Sequence, residues 1–103
     1  MKYFNLLLFS LIFSLPLSGQ YSISGSVKNQ QNEVMISALV WLEGTDFAAV
    51  TDESGKFRLS DLPLGTYSFK VSYIGYRSLS TMITIPFHGT LDVVLQGTVF
   101  ALD

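Results

Sequence analysis

The side chains able to do chemistry are few in this sequence, and they stand where turns would want them. There is one histidine, His88, and no cysteine. A zinc site needs several Cys or His ligands at fixed spacing, which this chain does not supply. A cysteine nucleophile is excluded, and a serine triad would need His88 as its base. Asp52-Glu53-Ser54-Gly55 looks like a fragment of a calcium loop, yet an EF-hand needs more oxygen ligands and a closing Glu. Glycoside hydrolysis needs two acids facing each other across a cleft. Asp46, Asp52, Glu53 and Asp61 all fall in turn-like segments, where acids serve solubility and turn formation. The expectation is a chain with no catalytic residue, no cofactor and no metal: a protein that binds and is not an enzyme.

Aromatic and apolar side chains are the remaining candidates. Trp41, Tyr73 and Tyr76 could together make a stacking platform for sugar rings. The plainer alternative puts Tyr73 in a core and Tyr76 over a turn. Leu39 and Trp41 fall opposite Ala38, Val40 and Leu42, so they face outward if the latter three face inward. Either a loop or the chain's own tail covers them, or they form an apolar patch that docks a partner.

The elements that position these residues read as strands. Tyr67, Phe69, Val71 and Tyr73 alternate with Ser68, Lys70 and Ser72, the pattern of a sheet with one dry and one wet face. Before them, Thr51-Asp52-Glu53-Ser54-Gly55-Lys56 is a hairpin signal. The Asp side chain accepts from N–H groups just ahead of it, and Gly takes the positive φ that closes the loop. Phe57 and Leu59 alternate with Lys56, Arg58 and Ser60. Leu62-Pro63-Leu64-Gly65 turns the chain, and Ile74-Gly75-Tyr76 kinks it. Tyr21–Lys28 is a first strand with Ile23, Gly25 and Val27 on one face, and Val34–Glu43 a second. Phe47–Val50, Arg77–Ile85 and Leu91–Gln96 complete roughly seven short strands, with Pro86-Phe87-His88-Gly89 as a turn. The spacing predicts a small antiparallel seven-stranded β-sandwich over residues 20–97.

Composition agrees with one small domain. The chain has 103 residues, a net charge of −2 and 14% charged residues, so no basic face points to nucleic acid. Met1-Lys2 and the apolar run from Leu6 to Leu17, then Pro16, Ser18 and Gly19, read as a secretory signal peptide over residues 1–19. That run is too short to span a bilayer. Export is therefore expected, with no transmembrane segment in the mature chain. Without cysteine there is neither an acylation site nor a disulfide, so apolar burial alone must stabilise the fold.

The motifs Thr51-Asp52 with Gly55 and Phe57, Leu62-Pro63 with Gly65 and Tyr67, and Gly75-Tyr76 resemble the carboxypeptidase-regulatory-like (transthyretin-like) β-sandwich. Upstream, Gly25 and Val27, then Ala38 and Val40 followed by Gly44-Thr45, fit the same pattern. The resemblance implies the N-terminal periplasmic domain of a SusC-type TonB-dependent outer-membrane receptor of Bacteroidetes, an adaptor in glycan or peptide uptake. Its partners would be the rest of the receptor and TonB. Residues 98–103 would lead toward the TonB-recognised box. The alternative is a stand-alone secreted carbohydrate-binding or adhesion module at the cell surface, with Leu39, Trp41 and Tyr76 as contacts.

Overall fold

The computed structural model describes residues 21–98. The leader expected over residues 1–19, and the tail beyond Thr98, lie outside the described residues.

Seven strands follow one another: β1 (Tyr21–Asn29), β2 (Leu39–Leu42), β3 (Ala48–Val50), β4 (Lys56–Leu62), β5 (Gly65–Ser72), β6 (Leu79–Ile85) and β7 (Leu91–Leu95). They form a three-stranded sheet in the order β4-β1-β7 and a four-stranded sheet in the order β3-β2-β5-β6. The expected β-sandwich is what the chain folds into. Among the described residues no helix is long and apolar enough to cross a membrane.

The period of two decides the core. Ile23, Val27, Phe57, Leu59, Leu62, Val93 and Leu95 are buried from the three-stranded sheet, and Val40, Leu42, Phe69, Val71, Ile83 and Ile85 from the other. Phe57 and Phe69 join the two layers, their ring centroids 5.7 Å apart and tilted by 34°. Fully burying one such side chain is worth about 1.5–3 kcal/mol, and this shared interior is what holds the disulfide-free chain together.

Three expectations are corrected. The pair β1–β7 is parallel, with Gly25 opposite Leu91 and Asn29 opposite Leu95, so the sandwich is not wholly antiparallel. Parallel pairing needs a long connection, and here the whole of β2–β6 supplies it. The turn at Thr51–Lys56 does not close a hairpin. β3 and β4 belong to different sheets, and the turn carries the chain from one layer to the other. A local turn signal specifies the reversal but not which neighbour each strand then finds.

The third correction concerns the second strand, which is shorter than the stretch Val34–Glu43. Val34 makes an isolated bridge with Lys28, and the Met35 N–H donates to the Val27 carbonyl at 2.9 Å. Ser37 then takes a positive φ of 64°, and the chain crosses to the other layer before β2 begins. The apolar residues Val34 and Met35 look like strand residues but serve a crossover.

Gly25 is where the sequence must be glycine for packing reasons. A Cβ there would stand 1.8 Å from the Leu91 carbonyl oxygen, so β7 can lie alongside β1 only if position 25 has no side chain.

Candidate functional site

The turn from Thr51 to Lys56 is the most heavily bonded loop of the fold. Asp52 Oδ1 accepts the N–H groups of Ser54 at 2.8 Å and Lys56 at 2.9 Å. Its backbone closes the loop through Asp52 N–H to the Lys56 carbonyl, 2.9 Å. Those N–H groups, Lys56 first and Ser54 second, favour the ionised carboxylate and hold the Asp52 carboxyl below its ordinary value. Gly55 has φ of 74°, and a Cβ on it would lie 2.9 Å from Val34 Cβ. Thr51 is buried. Its Oγ1 donates to the Met35 carbonyl and accepts the Ala38 N–H at 2.8 Å. The motif thus fastens the crossover segment 35–38 to the second inter-sheet connection.

The other two motifs are likewise structural in their bonds. Leu62 is buried, and the Tyr67 hydroxyl donates back to the Pro63 carbonyl at 3.0 Å, clamping the third layer crossing. Gly75 has φ of 87° in the turn after β5, closed by Tyr76 N–H to the Tyr73 carbonyl at 3.0 Å. Tyr73 and Tyr76 meet edge to face, centroids 5.7 Å apart, and both pack against the core.

Three residues were not singled out in the sequence. Asn29 is buried at the end of β1. Its Oδ1 accepts from Gln31 N–H and Glu33 N–H, both at 2.9 Å, and its amide donates to Glu33 Oε1 at 2.8 Å and the Tyr76 hydroxyl at 3.3 Å. It shapes the polar loop Asn29-Gln30-Gln31-Asn32-Glu33, which contains neither Gly nor Pro. The signal was an Asn at the head of a polar run, since Asn bonds the backbone just ahead of it. Gly97 and Thr98 are the others. Gly97 bridges Tyr76, the Thr98 N–H and Oγ1 both donate to the Gly75 carbonyl at 3.0 Å, and Arg77 N–H donates to Gln96 at 2.9 Å. No local pattern announces that long-range stitch.

His88 is exposed, as are Asp46, Asp52, Glu53 and Asp61. Asp52 and Glu53 share one turn and Asp46 occupies another, but Asp61 is not in the turn expected of it: β4 runs on to the buried Leu62 and takes Asp61 in as an exposed strand residue. Among the described residues no three His, Asp or Glu side chains gather as a metal site would require.

The three-ring platform is not assembled. Trp41 pairs across the sheet with Ala48 and Lys70 on the outer face, whereas Tyr73 and Tyr76 pack against the interior. Period two separates them: Trp41 has the opposite parity to the buried Val40 and Leu42. Leu39 is 41% exposed and Val50, directly opposite it, 58% exposed. Leu39, Trp41, Ala48 and Val50 thus form an outward apolar strip on β2 and β3. The neighbouring outer face of β5 carries Thr66, Ser68, Lys70 and Ser72. Nothing among the described residues covers Leu39 or Val50.

What this architecture defines is a two-layer β-sandwich whose loop motifs hold backbone to backbone. The sequence from residue 23 to 102 matches the CarboxypepD_reg-like domain family, and the chain belongs to that family. No curated protein matches it. Among solved structures it is similar to a chain of a type II cohesin–X-dockerin complex from Acetivibrio cellulolyticus. That likeness has 21% identity and a TM-score of 0.63, and covers 80% of this chain and 61% of the other. It is also similar to catechol 1,2-dioxygenase from Acinetobacter sp. ADP1, with 15% identity and a TM-score of 0.64 over 84% of this chain and 55% of that one. The enzyme of the same name from Pseudomonas arvilla C-1 gives 14% identity and a TM-score of 0.61, over 86% and 56%. The chain therefore spans little more than half the length of these neighbours, and the likeness is one of fold.

Proposed function

We propose that this chain is a non-catalytic binding module, exported from the cytoplasm, that serves as the periplasmic N-terminal domain of a TonB-dependent outer-membrane receptor. The observation that carries the binding role is the outward apolar strip of Leu39, Trp41, Ala48 and Val50, set beside the polar outer row Thr66, Ser68, Lys70 and Ser72 of β5. An exposed apolar patch rimmed by polar residues marks a docking surface. Lys70 and Glu43, 3.6 Å apart, stand at its rim.

Membership of the CarboxypepD_reg-like family supports the adaptor reading, and one structural neighbour comes from a complex of cohesin with X-dockerin. The residues that could do chemistry support it too, since each stands exposed in a turn or strand, apart from its fellows, or is engaged in holding the backbone. The separation of Trp41 from Tyr73 and Tyr76 speaks against the glycan-binding alternative.

The test is a pulldown of the receptor with the periplasmic domain of TonB, made with and without this domain. Weaker capture on its removal is expected. Capture unchanged by removal would end the adaptor reading.

A further inference from the structure

A sandwich of two open sheets has four edge strands, and unpaired edges invite a second strand unless they are blunted. Three of the four edges here are blunted. β3 has only three residues. β4 carries Lys56, Arg58 and Asp61, and its register with β1 shifts between Tyr21 and Ile23. β7 has five residues and places a carboxylate, Asp92, on its outer face.

β6 has none of these devices. It runs seven residues, Leu79–Ile85, with no charge and no proline, in unbroken register with β5 from Leu79 opposite Val71 to Ile85 opposite Gly65. Its other side carries no strand among the described residues. Met82, at its centre, is 64% exposed.

We infer that β6 is an interaction edge and that its partner is β6 of a second copy of this chain, paired antiparallel about Met82. The strand is nearly palindromic in chemistry. A two-fold axis at Met82 sets Ser80 opposite Thr84 of the second copy, Thr81 opposite Ile83 and Leu79 opposite Ile85. The hydroxyl pairs such an edge would form already occur inside the sheet. Thr66 and Thr84 stand 3.2 Å apart through their hydroxyls, and Ser68 and Ser80 3.3 Å. A second β6 continues the outer row of Ser80, Met82 and Thr84 and the inner row of Leu79, Thr81, Ile83 and Ile85. No like charges meet, because the strand has none. Arg77, the nearest charge, lies outside the strand, its N–H donating to the Gln96 carbonyl at 2.9 Å. The inference goes beyond the receptor reading and does not depend on it: the strip on β2 and β3 remains free.

One strand pair is a small interface, so the dimer is expected to be weak. Analytical ultracentrifugation of the purified protein over a concentration series should show reversible monomer–dimer exchange. Met82→Lys places like charges on the axis and should weaken the dimer by at least about tenfold, with the circular dichroism spectrum and thermal midpoint retained. Val94→Lys, on the outer face of β7, should leave it unchanged. Because the chain has no cysteine, Met82→Cys is a clean reporter: mild oxidation should cross-link it between copies, and should not cross-link Val94→Cys. A monomer at every concentration up to the solubility limit would overturn the inference. So would a dimer that Met82→Lys leaves intact, or cross-linking that is equal at the two positions.

Discussion

Thr51 Oγ1 accepts the Ala38 N–H at 2.8 Å in the interior of the fold, so one hydroxyl satisfies the buried amide that immediately precedes β2. The same hydroxyl donates to the Met35 carbonyl. Thr51→Val keeps the shape and removes both bonds, leaving a buried N–H and a buried C=O without partners. The expected loss is about 1–3 kcal/mol in urea unfolding. Thr51→Ser should retain most of the stability. Equal losses for the two would show that the methyl, not the hydroxyl, matters.

Glycines at positions 25, 55 and 44 should rank in that order when replaced by alanine. At Gly25 the new Cβ would meet the Leu91 carbonyl oxygen at 1.8 Å, a backbone atom that cannot yield while β1 and β7 stay paired. Gly25→Ala should therefore prevent β7 from docking, seen as loss of slow hydrogen exchange over residues 91–95. At Gly55, positive φ and the 2.9 Å approach to Val34 act together. Gly44 has φ of 81° and open space around it, so only backbone strain of about 1–2 kcal/mol is expected there.

Asp52 should contribute to acid sensitivity. Its carboxyl is held below the ordinary value in the fold, so the folded chain takes up that proton less readily than the unfolded chain. Its share of the stability is present above the ordinary carboxyl pKa and is lost as pH falls through the folded one. Denaturant midpoints measured from about pH 5 downward should fall more steeply for the native sequence than for Asp52→Asn. Parallel curves would remove this account.

Residues on opposite faces of the four-stranded sheet should separate stability from binding. Phe69→Ala empties a fully buried site and should cost about 3–5 kcal/mol. Leu39→Ser, on the outer face, should change stability by no more than about 0.5 kcal/mol while weakening capture of whatever docks on β2 and β3. A large stability loss for Leu39→Ser would mean that Leu39 belongs to the core.

Asn29 offers a fifth check. Asn29→Ala removes four side-chain hydrogen bonds at a buried position, among them the one to the Tyr76 hydroxyl. About 1–3 kcal/mol should be lost, and the loop from Gln30 to Glu33 should become accessible to proteolysis. Tyr76→Phe, which deletes only the 3.3 Å contact, should cost less.

Much of this protein was legible one residue at a time. Alternation along Tyr67–Tyr73 predicted which side chains Phe69 and Val71 would bury, because a strand turns every second residue to the same side whatever it pairs with. Asp52 and Gly55 predicted their turn, since the bonds involved span four residues. The strands' partners were decided elsewhere. That β1 runs parallel to β7, that the Thr51–Lys56 turn joins two layers, that Trp41 stands away from Tyr73 and Tyr76, and that Thr98 is tied to Gly75 all depend on residues tens of positions apart. Those contacts form when two apolar faces close on one another. Periodicity states that each strand has a face to bury; only the closed sandwich selects which face meets which, and so which edge is left bare.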